Sequence, residues 1–137
     1  MIGIVREGID VMEMIKSAKR KDCGAIAAFF GTVRDMSEGE RVHALYIEAY
    51  EDMALEQLRD IRDRAMERYG VKEVSIVHRI GEMGLGDVIV GIAVSSPHRA
   101  EAFKACMFVI DEIKKRAPLW KKERRESGEV WVKEVEA

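Results

Sequence analysis

A continuous apolar strand that runs directly into a long helix constrains the fold more than any other part of the sequence. Residues 87–95 predict a fully buried strand, and a helix follows over about 97–116, ending before Pro118. A buried strand needs cover on its faces, and an amphipathic helix needs a surface on which to bury its apolar stripe. Together they predict a layered structure in which helices pack on a sheet.

The remaining segments predict further strands and helices in irregular alternation. Strands are predicted at 2–6, 23–34, 42–50, 73–80 and 130–135, with a polar loop at 35–41 and a turn at 81–86. Asp10 and Glu13 form a capping-box pattern before a short helix, and Gly70 suits the C-terminal end of a helix over 52–69. This order favours an α+β fold over a doubly wound sheet. The 137 residues fit one domain, 1–137.

The positive charge of the chain is concentrated in one segment. The formal net charge is −2 at pH 7, so the protein as a whole is not a general binder of polyanions. Between positions 114 and 125 the basic residues are Lys114, Lys115, Arg116, Lys121, Lys122, Arg124 and Arg125, and the single acid is Glu123. One concentrated basic segment in a near-neutral protein indicates a local site for a small anion.

The start of the long helix carries positive groups where helix geometry disfavours them. Ser96 is predicted as the N-cap and Pro97 as the first helical residue, with His98 and Arg99 following. The free N–H groups at a helix N-terminus bind anions, whereas the helix dipole there repels cations. His98 and Arg99 therefore indicate either an anionic ligand or an ordinary solvated helix start.

The end of the same helix carries a lysine on its apolar side. Phe103, Met107, Ile110 and Lys114 follow one another at helical spacing, and we interpret the three apolar residues as a core-facing stripe. A lysine on that stripe either extends to water or points into a pocket, where partial desolvation would make it a usable base or nucleophile.

Two more cations are placed on ordered segments by apolar neighbours. Lys121 follows Trp120 just after Pro118, and burial of Leu119 and Trp120 is predicted to anchor this turn. Arg34 ends a predicted buried strand, from which a guanidinium can bind a phosphate with two hydrogen bonds.

Other classes of site have little support. The spacings of His, Cys, Asp and Glu predict no metal site, and we expect no cofactor. Cys23 and Cys106 are interpreted as core residues, and His43 and His78 as structural or surface residues. No apolar run is long enough to span a membrane and no signal peptide is recognised, so a soluble, cytoplasmic protein is expected.

Several motifs occur in an order and spacing that cover nearly the whole chain. They are Gly24-Ala25 leading into Phe30-Gly31-Thr32-Val33-Arg34-Asp35, the Leu45–Tyr50 strand, Val77-His78-Arg79-Ile80-Gly81, Gly86-Asp87, Val94-Ser95-Ser96-Pro97-His98-Arg99, Ala102-Phe103, and Lys114-Lys115-Arg116-Ala117-Pro118-Leu119-Trp120-Lys121-Lys122. The Ser-x-His-Arg and Arg-Ala-Pro-x-Trp-Lys segments are specific in combination. In these motifs the chain resembles the large, catalytic subunits of molybdopterin synthases, the MoaE family.

The resemblance implies a fold, a reaction and partners. The fold would be of the α/β-hammerhead type, with two long helices on mostly antiparallel strands, in a homodimer within a heterotetramer. A small ubiquitin-like carrier would insert its Gly-Gly thiocarboxylate C-terminus and pass sulfur to cyclic pyranopterin monophosphate, forming the dithiolene of molybdopterin. The implied catalytic residues are Lys114 and Lys121. The implied substrate-binding residues are Thr32, Val33, Arg34, His98, Arg99, Lys114, Lys121, Lys122 and Glu123. Pockets of this family can also receive residues from the dimer mate.

Two other functions remain open on the sequence. Residues 114–125 are also compatible with a nucleic-acid-binding module, whose affinity would fall steeply with salt. The acidic balance elsewhere argues against such a module. A non-catalytic scaffold of the same fold is the other alternative, and the presence of both Lys114 and Lys121 argues against it.

Overall fold

A computed structural model describes residues 1–132, in which strands and helices alternate irregularly. The strands are β1 (Ile2–Val5), β2 (Ala25–Thr32), β3 (Met36–Ser37), β4 (Glu40–Ala49), β5 (Glu73–Arg79), β6 (Gly81–Gly84), β7 (Val88–Ser96), β8 (Leu119–Arg125) and β9 (Gly128–Val132). The helices are α1 (Val11–Ser17), α2 (Glu51–Tyr69) and α3 (Arg99–Arg116). The predicted α+β class is confirmed. Of the strand predicted at 130–135, residues 133–135 lie outside the described range.

The first sheet has the strand order β1-β5-β7-β2 and carries helices on both faces. β1 runs parallel to β5, and the other neighbours are antiparallel. Val90, Ile92 and Val94 of β7 pack with α2 and α3 in the main core. The opposite face of β7 packs against α1, where Gly91 lies next to Met14. The apolar strand predicted at 87–95 is thus buried on both faces, as its sequence requires.

The second sheet consists of β3-β4-β8-β9, with β6 also paired to β4. One of its faces carries a smaller core formed by Val33, Leu45, Ile47, Ile80, Met83 and Ile89. Leu119 packs against both this small core and the main core, so the start of β8 lies at the junction of the two sheets. No helix within residues 1–132 is long and apolar enough to cross a membrane.

The predictions for three segments, one strand, one turn and one loop, need correction. The predicted buried strand at 23–34 is shorter and forms the edge of the first sheet, which leaves Ile26 and Phe29 about two-fifths exposed, at 40% and 39%. The turn predicted at 81–86 contains β6, and the loop at 35–41 contains β3 and a tight turn at Glu38-Gly39. These short strands exist because β4 pairs with them, which local sequence does not reveal.

Gly91 makes room for the contact between β7 and α1. A Cβ at this position would lie 2.5 Å from Met14 Sδ and 2.9 Å from Phe30 Cε1. Both distances are shorter than any real contact of a Cβ atom, so an added methyl group must displace buried side chains. We expect Gly91→Ala to lower the free energy of unfolding by about 1–3 kcal/mol, measured by chemical denaturation.

Gly3→Ala is the matched control, because Gly3 also lies in a strand of the same sheet and has nothing within 4 Å of an added Cβ. Its free energy of unfolding should stay within about 0.5 kcal/mol of the parent. Equal unfolding midpoints for the two variants would contradict the packing described for Gly91.

Candidate active site

Lys114 lies in the last turn of α3, on a side of the helix that does not face the protein's own core. The side of α3 that packs on the first sheet is formed by small and medium-sized residues, namely Ala102, Ala105, Cys106, Val109 and Ile113. The prediction that the stripe with Phe103 and Met107 faces the core is therefore wrong, since these side chains are 67% and 62% exposed. Alanines allow the helix to approach the sheet closely, and the larger apolar residues are turned outward.

The last turn of α3 is fixed by Arg116. Its Nη2 and Nε atoms donate to Gln57 Oε1 of α2, at 2.6 and 3.0 Å, and Nη2 also donates to Asp60. The hydrogen bond from Arg116 lowers the pKa of Asp60 below its usual value. The backbone that carries Lys114 is thereby held against α2.

Lys121 is held by strand pairing. β8 pairs with β4 so that Lys121 stands opposite Ile47 and Glu123 stands opposite Leu45. Directly paired residues of antiparallel strands project from the same face, so Lys121 and Glu123 lie on the face that carries the small core. The predicted burial of Trp120 is wrong, because this side chain is 52% exposed on the other face.

Lys122 projects from the opposite face of the second sheet. Its ammonium lies 5.3 Å from the ring centres of both Tyr46 and Trp131, and 3.2 Å from Glu129 Oε2. These contacts tie β4, β8 and β9 together. The structure therefore separates Lys122 from Lys121, although the two are neighbours in sequence.

Arg34 follows β2 beside the small core. Val33 is buried in that core, and its backbone N–H and C=O pair with Asp87 and Gly86. Thr32 and Arg34, on either side of it, are exposed. Arg34 borders an open cleft of about 570 Å³ lined by Val33, Arg34, Asp35, Met36, Leu85 and Gly86. Val33 thus holds its two neighbours in place, with its own side chain turned inward.

His98 and Arg99 are exposed at the start of α3. The helix begins two residues later than predicted, at Arg99, and its N-cap is His98. Ser96 Oγ accepts a long hydrogen bond of 3.4 Å from the His98 N–H. Ser96 therefore stabilises the turn before the helix and does not cap the helix itself.

The predicted site residues fall into two groups that one protomer does not bring together. Arg99 and Lys114 are at opposite ends of α3, and fifteen residues at 1.5 Å each separate them by about 22 Å along the helix. Leu119 and Val33 both contact the small core, which places β8 and Arg34 on the side of Lys114. His98 and Arg99 form the distant group.

The basic segment 114–125 is not a continuous positive surface. Within residues 1–132, at least four of its seven basic residues contact carboxylates, in the pairs Arg116–Asp60, Lys122–Glu129, Arg124–Glu82 and Arg125–Glu123. This charge pairing argues against the nucleic-acid-binding alternative. Arg125 is buried, although the sequence indicates only a basic residue at this position. Its spacing of two from Glu123 places both residues on the same face of β8, but β8 itself was not predicted.

The remaining candidate groups have structural roles. Burial raises the pKa of Cys106 to about 11, so its thiol stays protonated at neutral pH and is a poor nucleophile. His78 is buried, with Nδ1 2.8 Å from the Arg79 carbonyl oxygen. Within residues 1–132, no three His, Cys, Asp or Glu side chains are grouped in a way that suits a metal ion.

Comparison with known proteins identifies the family. The family model described as "MoaE protein" matches residues 4–116. The chain belongs to the MoaE family. The matched region includes Arg34, Arg99 and Lys114, and it ends just before the turn that leads to Lys121.

Known MoaE relatives match over almost the whole chain. The molybdopterin synthase catalytic subunit of Thermoplasma volcanium is 45% identical over 93% of both chains. That of Bacillus subtilis is 41% identical over 94% of this chain and 82% of its own. The crystal structure of molybdopterin synthase from Staphylococcus aureus has a TM-score of 0.91 at 39% identity, covering 96% of each chain.

These similarities confirm the MoaE family, the fold and the enzyme class predicted from the sequence motifs. Both relatives named above are catalytic subunits, which argues against a nucleic-acid-binding module. The roles of the individual MoaE site residues stay predictions, because family membership alone does not test them.

Proposed function

We propose that this chain is the catalytic subunit of a molybdopterin synthase. In this reaction sulfur passes from the thiocarboxylated Gly-Gly C-terminus of a small ubiquitin-like carrier to cyclic pyranopterin monophosphate. The observation that carries the proposal is the position of Lys114 and Lys121 on either side of one tight turn, each on an ordered element. In this turn the Leu119 N–H donates to the Ala117 carbonyl at 2.8 Å.

The two lysines suit reactants that are both anionic. Their ammonium groups can neutralise the carrier's thiocarboxylate, stabilise the charge of the acyl intermediate, or transfer protons. Arg34, at the cleft on the same side of the molecule, can bind the phosphate of the pterin. Opening of the cyclic phosphate leaves more negative charge, which these cations stabilise as it develops.

The outward stripe of α3 supports a homodimer that completes this site. Arg99, Phe103, Met107, Ile110 and Lys114 follow at intervals of four, four, three and four residues, so they lie along one side of the helix. Phe103 and Met107 in the middle of this stripe are largely exposed, whereas Ile110 is half-buried against the main core, and the two ends of the stripe are cationic. An exposed apolar stripe of this kind is typical of a helix that packs against another protein surface.

Packing of α3 against α3 of a second copy joins the two groups of site residues. A two-fold axis near Met107 makes the two helices antiparallel, so Arg99 of the partner subunit approaches Lys114. Arg99 and Lys114, about 22 Å apart within one protomer, then lie close to each other across the two copies, at both ends of the helix pair. In this arrangement each site receives His98 and Arg99 from one copy and the two lysines from the other.

The proposed dimer makes Met107 a sensitive position. We expect Met107→Glu to raise the dissociation constant of the dimer about 100-fold or more, because a carboxylate would be buried without a partner. The molecular mass in solution, measured by light scattering at micromolar concentration, should fall from that of a dimer to that of a monomer.

Met53→Glu is the control, because Met53 is also a helical methionine, 47% exposed, but lies on α2. Its mass should remain that of the parent protein. A Met107→Glu protein that stays dimeric would exclude α3 as the dimer contact.

The proposed reaction is tested by reconstitution. The purified chain, a thiocarboxylated carrier and cyclic pyranopterin monophosphate should together yield the dithiolene of molybdopterin. Failure of a folded, dimeric sample to form this product with a competent carrier would exclude the proposed function. The cytoplasmic location stays a prediction.

A further inference from the structure

Arg125 is a buried cation at the end of β8, the strand that also carries Lys121. Among residues 1–132 it is the one lysine or arginine that is buried, with 7% of its surface exposed. Burial of a charged group is costly unless the group is paired and hydrogen-bonded. The partners of Arg125 must therefore offset the cost of burying its charge.

The partners of Arg125 come from two separate parts of the chain. On β8, Nη2 and Nε lie 2.7 and 2.8 Å from Glu123 Oε1, and this hydrogen bond raises the pKa of Arg125 above its usual value. On the other side, Nη2 lies 3.4 Å from Ser37 Oγ, and Nη1 lies 3.5 Å from Glu38 and 3.7 Å from Glu40. One guanidinium thus joins β8 to the turn between β3 and β4.

The turn between β3 and β4 follows directly after Arg34. β3 and β4 are joined by Glu38 and Gly39, both with positive φ, at 49° and 80°. Two such residues form the tight turn typical of a two-residue hairpin. The Val42 N–H donates to the Asp35 carbonyl at 2.8 Å, so this hairpin also fixes the residue next to Arg34.

The partner on β8 lies beside Lys121. Glu123 and Lys121 are two residues apart on the same face of the strand, and the Glu123 side chain is only 15% exposed. With Arg125 on its carboxylate, Glu123 is held in one position on that face. Arg125 therefore contacts Glu123, itself a predicted site residue beside Lys121, and the hairpin that directly follows Arg34.

We propose that Arg125 is a positioning residue that sets the placement of Arg34 relative to Lys121. The inference rests on the proposed function, because it assigns Arg34 and Lys121 to one reaction site. The rigid guanidinium fork contacts Glu123 and the hairpin at the same time, which the single ammonium of a lysine does not reproduce. The contact between Arg125 and Glu123 is buried, with side-chain exposures of 6% and 15%, so salt screens it weakly.

The test compares variants that break one or both sides of this connection. Arg125→Met removes both sides, and Arg125→Lys keeps the charge but loses the fork. The double variant Glu38→Gln/Glu40→Gln leaves Arg125 and Glu123 in place and removes only the charged partners on the hairpin. Arg124→Gln is the matched control, since Arg124 is the neighbouring residue and is exposed on the opposite face.

Two measurements are made below the unfolding temperature of every variant. Steady-state kinetics with the thiocarboxylated carrier should show kcat/KM for the cyclic pterin reduced about 10- to 100-fold in Arg125→Met and Arg125→Lys, and less in the double variant. The KM for the carrier should stay within about threefold, which a general loss of structure would not allow. Arg124→Gln should match the parent protein.

Hydrogen exchange of the Val42 amide is the second measurement. It should become faster in Arg125→Met and in the double variant, while amides in the centre of α3 keep their protection. If Arg125→Met does not fold, the double variant and Arg125→Lys still decide the matter. Parental kcat/KM for the pterin in all three variants, or unchanged exchange at Val42, would overturn the proposal. If the parent protein itself has no activity, the proposed function fails, and the exchange data still report whether Arg125 fixes the hairpin.

Discussion

Replacing Lys114 by alanine is expected to lower kcat for molybdopterin formation about 100- to 10,000-fold. Lys114 is exposed in the last turn of α3, and Arg116 holds that turn against α2, so loss of the lysine removes charge without opening the core. The measurement is turnover in the reconstituted reaction. Far-UV circular dichroism and molecular mass should match those of the parent protein.

Lys115→Ala provides the control for this result. Lys115 is the next residue, is also exposed, and loses the same charge and side-chain length, but it points about 100° away around the helix. Its kcat should stay within about threefold of the parent value. A Lys114→Ala enzyme with parental turnover would refute the role assigned to Lys114.

Mixing two inactive variants is expected to restore activity. Arg99→Ala and Lys114→Ala homodimers each have a defect in both sites. If Lys114 of one copy works with Arg99 of the other, a mixed dimer contains one intact site and one doubly defective site. After complete subunit exchange, half of the dimers are mixed, so about a quarter of the parental activity should return.

The same mixture distinguishes the two possible site arrangements. If each site used Arg99 and Lys114 from a single chain, every site in the mixed dimer would be defective. The activity of the mixture would then stay as low as that of the two variants alone. Mixing Arg99→Ala with Arg99→Ala/Lys114→Ala controls for the effects of subunit exchange itself. That mixture has no intact site under either arrangement, so it should not recover.

The sequence predicted the first sheet and its helices well because their signals are local. The apolar run of β7, the helix at 52–69 and the Gly70 cap each follow from residues close in sequence, and Gly70 adopts the left-handed conformation expected of a C-cap. Asp10 is likewise the N-cap of α1, with the Glu13 N–H donating to Asp10 Oδ1 at 3.0 Å.

The second sheet was partly missed because its signals are not local. β8 reads Leu-Trp-Lys-Lys-Glu-Arg-Arg, which has no alternation of apolar and polar residues. It is a strand because β4 and β9 pair with it on both sides. Without β8, the sequence did not show that Lys121 and Lys122 project from different faces, or that Arg125 is buried.

Which side of α3 faces the core was predicted wrongly for a different reason. The helix has two apolar sides, one of small residues such as Ala102 and Ala105, and one that carries Phe103 and Met107. Hydrophobicity favours the larger residues as the core side, but close approach to the sheet selects the smaller ones. Which side is internal depends on the sheet below the helix, and the sequence of the helix alone does not contain that information.

Side chains of β8 project alternately from the two faces of the sheet, so the length of the connection before β8 affects the site. Adjacent residues of a strand face opposite ways, so a residue gained or lost before Leu119 that shifted β8 by one position against β4 would move Lys121 and Lys122 each to the other face of the sheet. The chain would still present a lysine to the small core, but Glu123 would turn away from it. The length of this connection therefore decides which face of the sheet carries Lys121.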